Sequence, residues 1–396
     1  MADELLEKRE GPESVFPLPL SPIEKFFFWD DRPEQPLTAF FHLSFESSVD
    51  VSLLESCIAQ VLERNPLLRA HVTGSDDNLA WILSDKPFRL SSLQDEPPIQ
   101  DGKVRPIDLR KEVGCRFWCE SAANCSRITA QLHHSACDGI AFRNVCIDIL
   151  HLYMLATTGK SEAVPDRDLF YQRYVYPQLH DRHKFEHLGK PKRETTTWQR
   201  IKHAWYFHLQ PPVPLANPVP FGSPVPLASK SSMEPKCAAG RESSNTLCNL
   251  LVDRELSECI LRACQLNEVG INEAAIAILF QTCYQWNRQH GDTRRNARLR
   301  VVMPYDLRGR TDVRMPATNR LGLCFLGRNY SQCENLDELI GGLQNELKAV
   351  KDTHLYLDLL KGIELGCKWP RVMKWALRKH KSMATVALTY TGDLSR

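Results

Sequence analysis

The chain has 396 residues, of which 43% are hydrophobic and 25% are charged, and its 50 Lys and Arg against 48 Asp and Glu leave a formal net charge of +2. This composition excludes a wholly disordered or fibrous protein, and the near-neutral charge lacks the basic surplus of a nucleic-acid-binding chain. At roughly 150 residues per domain, the length predicts two domains or one large pseudo-symmetric unit.

Targeting signals are not evident in the sequence. The sequence has no uninterrupted apolar run of about 18 residues, so no transmembrane helix is expected. The acidic N-terminal residues lack the pattern of a signal peptide. The 14 cysteines contain no CxxC pair, which argues against a zinc ribbon. Unpatterned cysteines without a signal peptide predict free, mostly buried thiols and a cytoplasmic protein.

The first half of the chain alternates helical and extended patterns. Ser21-Pro22, with Glu24 in the following turn, is typical of a helix start, and the aromatic run Phe26–Trp29 is expected in the core. The patterns predict helices at Ile23–Trp29, Val51–Leu62 and Ile140–Leu155, and strands at Thr38–Phe45, Leu67–Val72, Leu79–Leu83, Arg116–Glu120 and Arg127–Leu132.

A segment of different composition follows and predicts the domain organisation. Asp181–His203 holds seven Lys or Arg against three acidic residues, and Gln210–Ser232 is rich in Pro without periodicity. A basic surface helix is possible around Thr197–Leu209. Such a helix ordinarily faces solvent, and the alternatives are that it contacts a membrane or an acidic partner. We expect an N-terminal subdomain at 1–180, a connector at 181–243 and a C-terminal subdomain at 244–396.

The second half resumes the alternation of helices and strands. The apolar stripe of Asn272–Gln289 is the clearest helical pattern in it. The patterns predict helices at Arg254–Gln265, Asn272–Gln289, Leu336–Val350 and Val372–Lys379, and strands at Thr246–Val252, Arg300–Met303, Leu321–Leu326 and Ala384–Thr389.

The most informative segment is QLHHSACDGI, residues 131–140, where a strand passes into a helix. Successive side chains on a strand point to opposite faces, so the rings of His133 and His134 are not expected to point into the same cavity. This argues against a metal site in which both rings and Asp138 converge. It favours one functional imidazole, with Gly139 permitting the turn and Asp138 bonding locally. The alternative is two ordinary hydrogen-bonded histidines at a strand end.

A neutral imidazole can remove a proton from an alcohol or amine, because its ordinary pKa of about 6.5 lies near neutral pH. The sequence has no GxSxG nucleophile elbow. The nucleophile is therefore expected to be the acceptor substrate. Cys137 is either a reactive thiol or, in the commoner case, a small buried side chain.

The HHSACDG segment matches the HHxxxDG signature of the CoA-dependent, chloramphenicol acetyltransferase-like acyltransferase superfamily. This superfamily includes peptide-synthetase condensation domains, alcohol acetyltransferases and polyketide-associated acyltransferases. Only this motif is specific by itself, but other segments resemble the condensation branch in the same order over nearly the whole chain. They are Leu20–Trp29 for its first helix, Arg64–Arg69 for its R-H-x-x-L-R motif, Met303–Arg308 with Asn319–Gly322 for its later strand pair, and Thr389–Gly392 for its S-N-x-G strand end.

The resemblance implies an α/β fold of two similar subdomains that form a V with a central tunnel. It implies an acyltransferase of secondary metabolism that moves an acyl group from a thioester to a small-molecule alcohol or amine. The donor would be acyl-CoA or a phosphopantetheinyl thioester on a separate acyl or peptidyl carrier protein. We expect a monomer that has no bound cofactor, binds no metal and does not bind nucleic acid. The acyl group, the acceptor and the choice of ester or amide stay open.

The resemblance also implies roles for individual residues. Asp138 would be structural, in an ion pair for which Arg64 and Arg308 are equal candidates, and Asn319 would lie near the tunnel wall. The implied site consists of His134 as general base, His133, Asp138 and Gly139 beside it, and Arg64, Arg308 and Asn319 toward the substrate.

Two departures from the family pattern support an alternative function. The superfamily usually has more chain after the last strand, whereas here the sequence stops at Arg396, and Tyr390-Thr391 replaces Ser-Asn. An abbreviated C-terminal subdomain would be consistent with a catalytically impaired protein of the same fold that acts in binding or as a scaffold. A histidine-based metal hydrolase is a third hypothesis, against which the opposed strand faces argue.

Overall fold

A computed structural model describes residues 12–33, 36–92, 97–100, 103–158, 176–194, 211–216, 252–310, 312, 315–379 and 383–389. Several sequence predictions lie outside these residues. They are the strand at 246–252 except its last residue, the helix at 197–209, most of the Pro-rich segment 210–232, and the Tyr390-Thr391-Gly392 strand end.

The described residues form a mixed α/β structure. Its helices are α1 (Pro22–Asp30), α2 (Val51–Arg64), α3 (Gly139–Thr158), α4 (Arg254–Leu266), α5 (Ile271–Gln289), α6 (Leu336–Thr353), α7 (Asp358–Gly366) and α8 (Pro370–Lys379). Its strands are β1 (Leu18–Pro19), β2 (Thr38–Phe45), β3 (Ala70–Thr73), β4 (Ala80–Leu83), β5 (Ser91–Ser92), β6 (Ile99–Gln100), β7 (Lys103–Val104), β8 (Cys115–Ala122), β9 (Cys125–His133), β10 (Arg298–Asp306), β11 (Leu321–Asn329) and β12 (Val386–Ala387).

Local capping explains where the first helices begin. Pro22 occupies the first position of α1, and the carboxylate of Glu24 accepts from the N–H of Ser21 at 2.8 Å. The side chain of Asp50 accepts from the N–H of Leu53 at 3.0 Å and caps α2. These short-range contacts place both helix starts within one residue of the predicted positions.

The strand predicted at Leu67–Val72 is wrong in its first half. Residues Pro66–Arg69 form a 3-10 turn, and the strand begins only at Ala70. Pro66 has a φ suited to a helical turn, and the N–H of Leu68 bonds to the carbonyl of Asn65 at 2.9 Å. The apolar pattern is retained because the turn packs into the core.

The sheet order makes β9 a central strand. In the four-stranded sheet β2-β9-β8-β5, β9 pairs antiparallel with both β2 and β8, and His133 lies opposite Thr38. A second sheet has the order β11-β10-β12, with Asp306 opposite Leu321 at its β10–β11 end. The ends of β9 and β10 are therefore held by backbone pairing, and each continues into a loop that carries polar side chains.

Two apolar clusters form the core. The first joins α1, α2, α3 and the β9 sheet around side chains such as Trp81 and Phe142, and the second joins α5, α6, β10 and β11 around Phe280. Each large side chain that is fully buried contributes about 1.5–3 kcal/mol. Leu377 of α8 packs in the first cluster, so the C-terminal helices cross back to it. The predicted domain boundaries stay predictions.

Helix α3 is long and apolar enough, by length and composition, to cross a bilayer, and it is the one such helix among the described residues. It packs against α2, and its Phe142, Val145 and Ile149 are buried in the first cluster. Core helices of globular proteins pass the same test.

Among the described residues most cysteines are free thiols, as predicted, but Cys125 is disulfide-bonded. Cys115, Cys137 and Cys146 are buried in the first cluster. Burial raises the pKa of the Cys146 thiol to about 12 and that of Cys137 well above its usual value. Cys137 is thus a protonated, packed side chain at neutral pH rather than a nucleophile.

Candidate active site

The two histidines at the end of β9 have different environments. His133 is the last residue of β9 and is 1% exposed, whereas His134 is partly exposed. The His133 Nδ1 accepts from the N–H of Ser135 at 3.0 Å, and its Nε2 lies 3.5 Å from Asp31 Oδ2. His133 therefore holds the turn from inside, while His134 is the less buried residue of the two.

Asp31, which sequence reasoning missed, fixes the start of this turn from outside β9. Its Oδ1 accepts from the N–H of Leu37 at 2.7 Å, and the Leu37 carbonyl accepts from the N–H of His134 at 2.9 Å. One carboxylate thus contacts both His133 and the loop that binds the backbone of His134. No signal in the sequence connects Asp31 to residues a hundred positions later.

The His134 ring is kept uncharged by its surroundings. Burial lowers its pKa below the usual 6.5, the neighbouring His133 lowers it further, and Asp138 opposes the shift. The ring of Phe27 lies beside it, with 5.9 Å between the ring centroids. Phe27 is half-buried and packs against the first cluster, as predicted, while its ring also contacts His134. A neutral imidazole has a free lone pair that can accept a proton.

Asp138 is 4% exposed, and both of its oxygens are engaged. Its Oδ1 accepts from the N–H of Ala141 at 3.0 Å and so caps α3. Its Oδ2 accepts from the Arg308 guanidinium at 2.9 Å and from the N–H of Arg320 at 2.8 Å. The carboxylate therefore joins the β9–α3 turn to the loop between β10 and β11.

Of the two arginines left open from the sequence, Arg308 forms the ion pair with Asp138. Its guanidinium also donates to the Thr318 carbonyl at 3.0 Å and to Asp306 at 3.1 Å. Arg64 is buried at the end of α2, where its charge acts on Tyr176. The structure thus separates Arg64 from the Asp138 contact and brings Arg308 into it.

Gly139 is the first residue of α3 and does not have a positive φ. The turn therefore does not need glycine, which corrects the expectation from sequence that Gly139 permits the turn conformation. A Cβ built at Gly139 would meet no atom within 4 Å. Open space adjoins this position, next to the partly exposed His134.

Asn319 is 2% exposed and clamps the backbone of the turn. Its Nδ2 donates to the carbonyls of His134 at 2.8 Å and of Ser135 at 3.0 Å. Its Oδ1 and the hydroxyls of Ser135 and Thr318 are buried and have no hydrogen-bond partner among the described residues. Asn319 is thus a positioning residue whose amide N–H groups are already used by the protein.

Arg320, which was not assigned a role from sequence, extends the same network. Its guanidinium donates to the carbonyls of Arg182 at 2.9 Å and Lys184 at 2.6 Å and pairs with Asp312 at 2.6 Å. Arg182 is itself buried against Glu24 of α1 at 2.7 Å. The residues around the turn are therefore connected to α1 through two buried arginines.

Metal ligands are not grouped in this region. Within the part of the chain that the structure describes, no three His, Cys, Asp or Glu side chains are placed so that they could hold a metal ion. His133 and His134 have separate surroundings, as described above.

Replacing Asn319 by alanine should lower kcat more than it raises KM, because the carbonyls of His134 and Ser135 lose their shared donor and the imidazole loses its fixed direction. Steady-state kinetics of an acyl-transfer reaction would measure this. Asn144→Ala, on α3 away from the turn, is the control. Equal kinetics for Asn319→Ala and Asn144→Ala would contradict the positioning role.

Comparison with known proteins gives distant similarities. No protein-family model matches the sequence. The chain is 28% identical over 156 residues to one of the linear gramicidin synthase proteins of Brevibacillus parabrevis, a match that covers 34% of this chain and only 2% of that protein.

Solved structures match over most of the chain. One is the first condensation domain of the calcium-dependent antibiotic synthetase, with 12% identity and a TM-score of 0.56, covering 89% of this chain and 75% of that one. Another is the X-domain in its complex with OxyB from teicoplanin biosynthesis, with 15% identity and a TM-score of 0.51, covering 88% and 73%. At these identities the likeness establishes a shared fold.

Proposed function

Since the chain has the chloramphenicol acetyltransferase-like fold of condensation domains, as the HHSACDG motif predicts, we propose that it transfers an acyl group from a thioester to an alcohol or amine. The donor in this proposal is acyl-CoA or a phosphopantetheinyl thioester on a separate carrier protein. Fold alone does not define a reaction, so the proposal depends on the site.

The observation that carries the proposal is the placement of His134. His134 is partly exposed as a residue, burial lowers the pKa of its ring, and its backbone is held by Asn319 and Leu37. A base that is neutral at physiological pH and fixed in direction is what proton abstraction from a hydroxyl or amine needs. The open space beside Gly139 supports access of a substrate to this ring.

In the proposed reaction the acceptor O–H or N–H gives its proton to a neutral ring nitrogen of His134 as the acceptor oxygen or nitrogen bonds to the thioester carbonyl carbon. The carbon–sulfur bond then breaks, and the departing sulfur takes the proton from the imidazolium. The ester or amide and a free thiol are the products, and the imidazole is again neutral.

Incubation of the purified chain with a panel of acyl-CoAs and pools of alcohols and amines tests the proposal. Mass spectrometry should detect an acylated acceptor, and the free thiol should appear in equal amount. The same panel with acyl groups loaded on a carrier protein separates the two donors. Absence of product with both donor types would contradict acyl transfer.

The pH dependence of the reaction should reflect the lowered pKa of His134. Because only the neutral ring accepts a proton, kcat/KM should fall as the pH drops through the pKa of this group, and that pKa lies below 6.5. The acid limb of a pH–rate profile should therefore have its midpoint below 6.5. A midpoint above 6.5 would show that another group controls the rate.

A second function is supported by the similarity to the X-domain in complex with OxyB, a neighbour whose structure contains a bound protein. On this alternative the chain binds a carrier protein or an enzyme without turning over a thioester. Binding measured by titration, together with no acylated product in the panel above, would favour it over acyl transfer.

A further inference from the structure

Helix α4 carries an exposed row of apolar side chains. Leu256, Ile260 and Leu266 are 51%, 41% and 79% exposed, and Cys259 and Ala263 are exposed as well. Positions 256, 259, 263 and 266 are three, four and three residues apart, and position 260 lies four residues after 256. All five side chains therefore lie on one side of the helix. We call these five residues the α4 seam.

A different face of α4 is fixed to the rest of the protein. The helix packs on α5, and its half-buried side chains, Ser257 and Cys264, lie outside the seam. The chain just after the helix is also held, because the Gln344 Nε2 of α6 donates to the Glu268 carbonyl at 2.9 Å. The seam therefore projects from an anchored helix. A continuous apolar stripe on such a helix is typical of an interaction surface.

The spacing of the seam is that of a coiled coil. Leu256 and Ala263 take the first position of successive heptads, position a, and Cys259 and Leu266 take position d. Ile260 then lies at position e, on one border of the seam. These are the positions through which two helices pack knobs into holes.

The other border of the seam carries two opposite charges. Glu255 and Arg262 are exposed and lie one heptad apart, both at position g. In a parallel pair of helices position g faces position e, which here offers Ile260 and Asn267 and no charged group. In an antiparallel pair position g faces position g of the other helix, so Glu255 of each copy meets Arg262 of the other. The seam is therefore complementary to itself in the antiparallel orientation.

We propose that two copies of this chain pair through the α4 seam, antiparallel and related by a twofold axis. Leu256 of one copy lies against Leu266 of the other, and Cys259 lies against Ala263. A self-complementary surface is what a symmetric dimer requires, whereas an unrelated protein would have to match the same pattern from its own sequence. The dimer differs from the monomer expected from the resemblance, and it does not depend on the acyl transfer proposed above.

Analytical ultracentrifugation of the full chain tests this proposal. The 13 residues of α4 give a contact about 20 Å long, at the small end of stable interfaces, so the dimer fraction should rise with concentration through the micromolar range. Ile260→Glu should raise the dissociation constant of the dimer by about tenfold or more, because it places a charge in the seam. The control is Met154→Glu on α3, which changes a side chain that is 50% exposed and should dimerise like the parent chain.

Charge exchange tests the antiparallel orientation. Glu255→Arg alone and Arg262→Glu alone should each weaken the dimer, because each brings like charges together at both ends of the seam. The double variant should dimerise like the parent chain, because it restores the opposite charges in exchanged places. A double variant weaker than both single variants would contradict this pairing.

The exposed thiol of Cys259 provides an independent measurement. A short bismaleimide should crosslink two copies of the parent chain, and crosslinking should fall in Cys259→Ala. Circular dichroism would show that each variant is folded. The proposal is overturned if the folded chain remains monomeric at about 100 μM, or if Ile260→Glu dimerises as the parent chain does. Equal crosslinking of the parent chain and Cys259→Ala would also overturn it.

Discussion

His134→Ala should reduce acyl transfer by about 10²–10⁴-fold, the usual contribution of a general base. His134 is the partly exposed histidine at the end of β9, and burial shifts its ring toward the neutral form. Because His134 is held through its backbone by Asn319 and Leu37, removal of the ring leaves these hydrogen bonds in place. The melting temperature should therefore change little while the rate falls.

A matched control is His42→Ala. His42 is an exposed histidine on β2, one strand away, where its Nδ1 contacts Thr129 at 3.1 Å. Its loss should leave the rate of thiol release and of product formation unchanged. If His134→Ala releases thiol and forms product as fast as His42→Ala does, the imidazole at the strand end is not the base.

Asp138→Ala should lower the free energy of unfolding by about 3–5 kcal/mol, because it removes the buried carboxylate of the ion pair and leaves the half-buried Arg308 with the exposed Asp306 as its charged partner. The change also removes the cap of α3 and the acceptor for the N–H of Arg320. Urea unfolding followed by circular dichroism would measure the difference. Asp138→Asn keeps an oxygen that can cap α3 but removes the negative charge. We expect its free energy of unfolding to lie between those of the parent chain and of Asp138→Ala.

Asp306 provides the control for this pair because it contacts the same arginine from an exposed position. Its side chain is 42% exposed and lies 3.1 Å from Arg308. Asp306→Ala should cost no more than about 1 kcal/mol, as solvent-exposed ion pairs do. Similar losses for Asp138→Ala and Asp306→Ala would mean that the buried pair does not hold the two loops together.

The two experiments address separate statements about the site. A folded His134→Ala variant without activity supports the proposed chemistry, whereas the stability of the Asp138 variants concerns the architecture under both proposed functions. A binding protein on the same fold would show the stability loss at Asp138 and no turnover to lose at His134.

Much of the secondary structure was predictable because it depends on local signals. Strand β2 has the predicted limits, and α3 follows the HHSACDG segment as expected. The fold class followed from the same seven residues, and the structural neighbours agree with it. The error at Leu67 arose because an apolar run has the same composition whether it forms a strand or a buried turn.

What the amino-acid sequence determined by itself is the order of helices and strands and the position of two histidines at a strand end, since periodicity, caps and turns act over a few residues. The fold class followed from the resemblance of the HHSACDG segment to the HHxxxDG signature. The tertiary structure alone decided that Arg308 and not Arg64 pairs with Asp138, that Asp31 faces His133, and that Asn319 binds the carbonyl of His134. These contacts join positions between about a hundred and nearly two hundred residues apart. Such pairs form only when the two sheets and their loops pack, and the pattern around either partner carries no record of the other.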